Sequence, residues 1–276
     1  MGWSSPSSTF RIVTDQRSLV RVCVAGITGW TGSAVAEGIR ASADLELVAG
    51  VSRSDPSHFS SVAEALDETR PDVLVDYTRA EAVKSNVVAA LERGSAVVVG
   101  SSGLTASDYD EIDALAREHR VGVIAAGNFS ITAALLLRFA TEAARHLEAW
   151  EVIDYASAGK PDAPSGTSRE LAERLASVRA PASGLPVEQT LGSPEARGAT
   201  VAGTQVHSLR LPSFTVSTET IFAADGERLS IRHDAGESAA PYVAGTLLAI
   251  RALPGRVGVT RGLDQLLSDS SQATLT

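Results

Sequence analysis

Short apolar runs and amphipathic stretches alternate along the first half of the chain. Residues 20–25 are apolar except for Arg21, and a helical period follows over 33–41. The same alternation recurs with strands expected at 45–51, 73–76, 96–100 and 121–125, and helices at 80–93 and 106–119. Continuous apolar strands separated by helices predict a parallel sheet covered on both faces, the doubly wound α/β class.

After Asn128 the pattern changes. A long apolar helix is expected over 131–147, then a strand over 150–155 and a helix over 168–178. Residues 180–203 are rich in Pro, Gly and Ser and read as a long loop. Three runs of period two follow, at 205–211, 215–223 and 227–233, predicting an antiparallel or mixed sheet with one exposed face. A helix over 242–253 and a short tail end the chain. The second half is thus an α+β unit, and its last helix is placed to return to the first. No internal repeat is found.

The loop after the first strand is Gly26-Ile27-Thr28-Gly29-Trp30-Thr31-Gly32. Three glycines between a strand and a helix let the backbone turn tightly and approach a pyrophosphate, which sits on the helix N-terminus. The second strand ends Val51-Ser52-Arg53. An acid here would hold a ribose 2'-hydroxyl, whereas arginine accommodates a 2'-phosphate, so NADPH is expected and NADH remains an alternative. The simpler reading of Arg53 is a solvated loop residue. A Gly-x-Thr-Gly-x-Thr-Gly loop also occurs in semialdehyde dehydrogenases, but those need a thiolate in a second domain. The single cysteine, Cys23, lies inside the first strand, which excludes that reading.

The expected domains are a loose arm (1–19), a dinucleotide-binding unit (20–127 with 242–276) and a substrate-binding and oligomerisation unit (128–241). A net charge of -9 without a basic stripe argues against a nucleic-acid partner. No apolar run reaches membrane-spanning length, and the first residues lack the form of a secretion signal. One cysteine excludes an intrachain disulfide and suits the cytoplasm. No His, Cys or Asp spacing has the form of a metal site. His207 and His233 fall in or at the end of expected strands, with core or surface placement as their simpler reading; the acidic 108–118 helix reads as a solvated face.

Of 24 basic residues only Lys84 and Lys160 are lysines. A lysine kept where arginine is the default suggests a role for a compact, proton-yielding ammonium. Lys160 opens Lys160-Pro161-Asp162-Ala163-Pro164-Ser165-Gly166-Thr167, which puts two hydroxyls and a glycine at a helix start, a natural anion cradle. A surface lysine before a capped helix is the plainer alternative.

These segments, with Asp76-Tyr77-Thr78-Arg79, Gly100-Ser101-Ser102-Gly103, Gly127-Asn128-Phe129-Ser130 and Gly226-Glu227-Arg228-Leu229 followed by His233, together resemble the dihydrodipicolinate (4-hydroxy-tetrahydrodipicolinate) reductase family of bacterial lysine biosynthesis over about 20–267. The resemblance implies a two-domain reductase, usually tetrameric, passing hydride from a nicotinamide to a cyclic imine or enamine dicarboxylate. It implies that Gly26, Thr28, Gly29, Trp30, Thr31 and Gly32 hold the pyrophosphate, with Arg53 near the adenosine ribose. Thr78, Gly100, Ser101, Ser102, Asn128 and Phe129 would line the nicotinamide half, and Lys160, Ser165, Gly166 and Thr167 would grip a carboxylate substrate. Two departures stand out. The His-His pair usual in the family falls on Ala156 and Ser157, and an arginine often found after His233 falls on Ser238; Gly127 where proline is common is a minor change. Ser157 can donate a hydrogen bond but is a poor acid near neutral pH, so the expected catalytic residues are Lys160, as proton source, and Ser157, which with water would stand in for the histidines in a lysine-pathway reductase. The expectation is a diverged NADPH-dependent reductase with a less polar imine or enoyl-type substrate. Its alternatives are the lysine-pathway reductase itself, the hydride step run backwards as a desaturase, and a non-catalytic NADP(H)-binding protein.

Overall fold

The computed structural model describes residues 19–182 and 184–267. The expected N-terminal arm therefore lies outside the described residues apart from Leu19, as does the chain beyond 267.

The first unit is built from β1 (Val20–Ala25), α1 (Trp30–Arg40), β2 (Leu45–Val51), α2 (Val62–Thr69), β3 (Val73–Asp76), α3 (Ala80–Leu91), β4 (Ala96–Val99), α4 (Ala106–His119) and β5 (Gly122–Ala125). The second contains α5 (Ile131–Ala143), β6 (Ala149–Ala156), α6 (Gly166–Val178), β7 (Ala199–Val201), β8 (Thr204–Arg210), β9 (Val216–Ala224) and β10 (Glu227–Asp234), and α7 (Ala240–Ala252) and β11 (Gly258–Arg261) close the chain. Six parallel strands run in the order β11-β5-β4-β3-β1-β2. The order reverses about β1, so the carboxyl ends of β1 and β3 border the crevice where ligands of open α/β sheets sit.

Alternation within the strands feeds two cores. Val22 and Val24 pack with Val35, Ile39, Ile250 and Leu253 under α1 and α7, whereas Cys23 and Ala25 pack with Leu66, Leu91 and Ile112 under α2 to α4. All four residues of β3 are buried, which is what a central parallel strand requires. The last helix does return: α7 lies along α1, and β11 pairs with β5.

The second sheet is mixed, in the order β10-β9-β6-β8-β7, with only β6 and β8 parallel. Its inner face packs on α5 and α6 through Trp150, Val152, Val206 and Phe222 against Leu136, Leu171 and Leu175. Trp150 and Phe222 lie 5.7 Å apart, and the Trp150 indole N–H reaches Thr204.

Five short elements went unforeseen. The helix α2 has eight residues, yet Ser61 caps it by accepting from the Glu64 N–H, a Ser-x-x-Glu signal present in the sequence. The strand β7 and two short 3-10 helices interrupt what read as one loop over 180–203. β11 is four residues long and has too few positions to show a period. The long helix stops at Ala143 rather than 147, and α6 begins at Gly166, two residues before the expected start.

Candidate active site

The glycine loop leaves β1 at Gly26, whose φ is 80°. A side chain there would collide with the Tyr77 carbonyl oxygen, and one at Gly32 with the Gly26 carbonyl. Both glycines are therefore required by close backbone approach. Gly29 caps α1 without a side-chain hydrogen bond, so the first amides of that 11-residue helix point outward unoccupied by protein groups. The loop thus fits a dinucleotide pyrophosphate. At its rim Thr28 bonds Ser52 at 2.9 Å, and Arg53 is exposed without an ion pair among the described residues.

Next to the loop, Asp76 ends β3 fully buried and gathers the turns on either side. Its carboxylate accepts from the Thr78 N–H (3.0 Å), the Thr78 hydroxyl (2.7 Å), the Ser101 hydroxyl (2.5 Å) and the Asn86 amide (2.8 Å). Thr78 and Ser101 are thereby brought together as expected neighbours, with Gly100 against the Tyr77 ring and Ser102 exposed. Tyr77 reaches across to α7, its hydroxyl 2.6 Å from that of Thr246.

Asn128 and Phe129 lie where the chain crosses between the units. The Asn128 side chain accepts from Ser130 N–H at 2.8 Å and donates to the Thr167 hydroxyl at 3.3 Å, which joins the crossing to the start of α6. Phe129 is 1% exposed and packs edge-on against Tyr77, so it is a core residue of the crossing. Gly127 N–H donates to Glu170 at 2.6 Å; burial pushes the Glu170 carboxyl up, against the opposing effects of that bond and of Arg174.

The start of α6 rests on a buried acid, Asp154, not anticipated from the sequence. Asp154, fully buried, accepts from the Ser165 N–H (3.0 Å) and hydroxyl (2.6 Å), Ser168 (3.0 Å), Ser208 (3.1 Å) and Arg210 (2.9 Å). Burial alone would raise its pKa, but the bonds from Ser165 and the Arg210 charge outweigh that and hold it below the usual carboxylate range. Arg210 also donates to the Asp162 carbonyl, so this one pair ties down the whole 157–165 loop. Ser165 was expected to grip a substrate; instead both its donors are committed to Asp154 and its oxygen caps α6. The amides of Gly166 and Thr167 are the donors left open. Lys160 is partly exposed and pairs with Asp162 at 2.7 Å, and its N–H closes a turn onto Ser157. Ala156 is fully buried and Ser157 exposed, so neither offers a titratable group here.

A signal for Asp154 did exist. It stands in phase with the inward Trp150 and Val152, and an acid at a buried strand position needs partners. Neither strand histidine enters the loop: His207 bonds Glu151 at 2.7 Å on the outer face, while His233 is buried beside Thr132 at 3.1 Å, with burial lowering its pKa. Among the described residues no group of three His, Cys, Asp or Glu side chains is placed to hold a metal. No described helix is long and apolar enough to cross a membrane.

Comparison with known proteins agrees with this geometry. Residues 20–129 match the family described as dihydrodipicolinate reductase, N-terminus, and residues 132–267 its C-terminus counterpart. The chain is 40% identical to a 4-hydroxy-tetrahydrodipicolinate reductase of Nocardia farcinica over 252 residues, covering 90% of this chain and 98% of that one. It is 34% identical to the Bacillus licheniformis enzyme of that name, covering 91% and 99%. A dipicolinate-bound dihydrodipicolinate reductase from Paenisporosarcina sp. TG-14 superposes with a TM-score of 0.73 at 27% identity, covering 90% and 99%. GenD2 from gentamicin A biosynthesis shares the fold, with a TM-score of 0.63 at 15% identity, covering 96% and 93%. The chain belongs to the dihydrodipicolinate reductase family, NAD(P)H-dependent oxidoreductases that act on a C=N or C=C bond.

Proposed function

We propose that this protein is an NADPH-dependent reductase of a cyclic imine, enamine or related unsaturated carboxylate whose pocket differs from that of the family at large. One observation carries the reading: the glycine loop and the α6 start are in place, while the positions at which the family resemblance implies an imidazole pair hold buried Ala156 and exposed Ser157. Bound NADPH supplies the hydride. The protein's part is to hold the cofactor on the amides of Trp30, Thr31 and Gly32, with Arg53 toward a 2'-phosphate and Thr78, Gly100, Ser101, Ser102 and Asn128 along the nicotinamide half. Gly166 and Thr167 amides and the Lys160 ammonium bind the substrate carboxylate, with Ser165 holding the turn in place. Lys160 opens the run that leads into this helix start, where it pairs with Asp162, and we assign it the roles of anion clamp and proton source for the substrate nitrogen.

The outer face of the mixed sheet carries half-buried Ile153, Leu209 and Ile221 beside Glu151, Tyr155 and His207, and among the described residues no helix packs on it. We assign it to self-association as a homotetramer. The buried, lone Cys23 suits the cytoplasm.

The test is NADPH consumption with a panel of cyclic imines, native chain against Lys160→Ala. Turnover of the lysine-pathway intermediate at the rate of ordinary family members would favour the second reading, that this is the lysine-pathway reductase itself, which the 40% identity over nearly the whole N. farcinica enzyme supports. Tight NADPH binding with no turnover of any imine would leave a cofactor-binding protein.

A further inference from the structure

The start of α6 presses on the chain where it leaves the six-stranded sheet. Thr167, Glu170 and Arg174 stand at i, i+3 and i+7 of the helix and so share one face. The first two grip a single peptide unit. Glu170 accepts from the Gly127 N–H at 2.6 Å, and the Thr167 hydroxyl donates to the Gly127 carbonyl at 3.3 Å. A side chain at Gly127 would begin 2.7 Å from that Glu170 oxygen and 2.9 Å from the Gly166 carbonyl oxygen, so nothing separates the helix from the crossing backbone. The other Glu170 oxygen faces the turn after β11, 3.2 Å from where a side chain at Gly262 would begin. One turn on, Arg174 pairs with Asp264 at 2.8 Å and donates to the Arg261 carbonyl at 3.1 Å.

This contact joins the two halves of the site. Gly127 leads straight into Asn128, assigned above to the nicotinamide half, and Asn128 itself donates to the Thr167 hydroxyl. On the other side, Gly166 and Thr167 carry the amides assigned to the substrate carboxylate and lie within the turn of α6 that precedes Glu170. A shift of the helix along the Gly127 peptide therefore changes the gap between the reactants. Chemistry is steep in that gap, since a misplacement of about 1 Å costs on the order of a hundredfold in rate.

We propose that Glu170 is a positioning residue, which by clamping the Gly127 peptide sets the distance from the nicotinamide to the bound imine. This rests on the imine-reductase reading above. Glu170 touches neither reactant and moves no proton. The clamp uses the reach of its side chain rather than its charge, because an amide oxygen at the same place also accepts the Gly127 N–H.

The experiment compares the native chain with three variants. Glu170→Gln keeps the reach without the charge, Glu170→Asp keeps the charge one methylene short, and Glu170→Ala has neither. It measures kcat and KM with 1-piperideine-2-carboxylate and with tetrahydrodipicolinate, and the isotope effect of NADPH deuterated at C4. It adds hydrogen exchange at the Gly127 amide in the cofactor-free chain. Glu170→Ala and Glu170→Asp should lower kcat about tenfold or more and raise the isotope effect, with KM for substrate and NADPH within about twofold. Exchange at Gly127 should quicken about tenfold in the same two variants, because the amide has lost its acceptor. Glu170→Gln should stay near native in every readout. Losses confined to KM, or Glu170→Asp behaving as native while Glu170→Gln does not, would overturn the clamp. If the native chain reduces no imine, the reductase reading fails on its own. The exchange measurement needs no substrate and still decides the clamp, which unaltered exchange in Glu170→Ala would overturn.

Discussion

Replacing Asp154 by asparagine keeps the volume and removes one charge from a group with no solvent exposure. The amide can still accept at one oxygen, but its NH2 would face the donors of Ser165, Ser168, Ser208 and Arg210. Arg210 would be left 17% exposed beside a neutral partner. Breaking a buried ion pair from one side costs about 3–5 kcal/mol. That is roughly a third of the stability of an ordinary domain, and at ~2–4 °C per kcal/mol for large domains it lowers Tm by about 10 °C. The sign with pH follows from the depressed pKa: the stabilisation is fully present above the unfolded carboxylate value of about 4 and is lost as pH falls through the lower folded value. Urea unfolding at pH 7 and at steps below pH 5 should show native stability falling in acid and a flatter curve for Asp154→Asn. Because the loop from 157 to 165 hangs on this group, KM for a carboxylate substrate should rise more than KM for NADPH. An Asp154→Asn chain within about 1 kcal/mol of native at pH 7, with unchanged KM, would show that the hub neither stabilises nor positions.

Gly32→Ala should abolish NADPH binding, read by fluorescence titration, because its Cβ meets the Gly26 carbonyl and spreads the pyrophosphate loop. Arg53→Ala should weaken NADPH by about tenfold and leave NADH nearly unchanged, as expected for one charged hydrogen bond lost; equal effects on both would remove the 2'-phosphate assignment. Tyr77→Phe deletes the 2.6 Å bond to Thr246, which keeps its bond to the Tyr242 carbonyl, so the loss should be about 0.5–1.5 kcal/mol in urea unfolding.

Where the physics is local, the sequence was informative. The strands at 20–25, 45–51 and 73–76 and the helix at 106–119 match the structure residue for residue, because mainly apolar runs and a Thr105–Asp108 capping box are short-range signals. Short pieces escaped for the opposite reason: β7 and β11 have three and four residues and exist through the strand beside them. Within the site, the glycine loop and the Lys160 run were visible as motifs. The division of labour inside that run was not, since Ser165 is drawn inward by an acid 11 residues earlier in the chain.

By itself, then, the sequence determined the order of the long strands and helices, the glycine loop, the hydroxyl-bearing start of α6 and the family, all of which are written in spacings of a few residues. Only the tertiary structure decided that Asp154 and Arg210, 56 positions apart, hold the cradle; that Asp76 joins the turns at Thr78 and Ser101; and that Trp30 meets Tyr242 from the far end of the chain. Such pairings depend on which strands become neighbours and which helix returns to which face. Burial then sets their energy, because a charge or a ring removed from water must be matched by whatever the fold brings beside it.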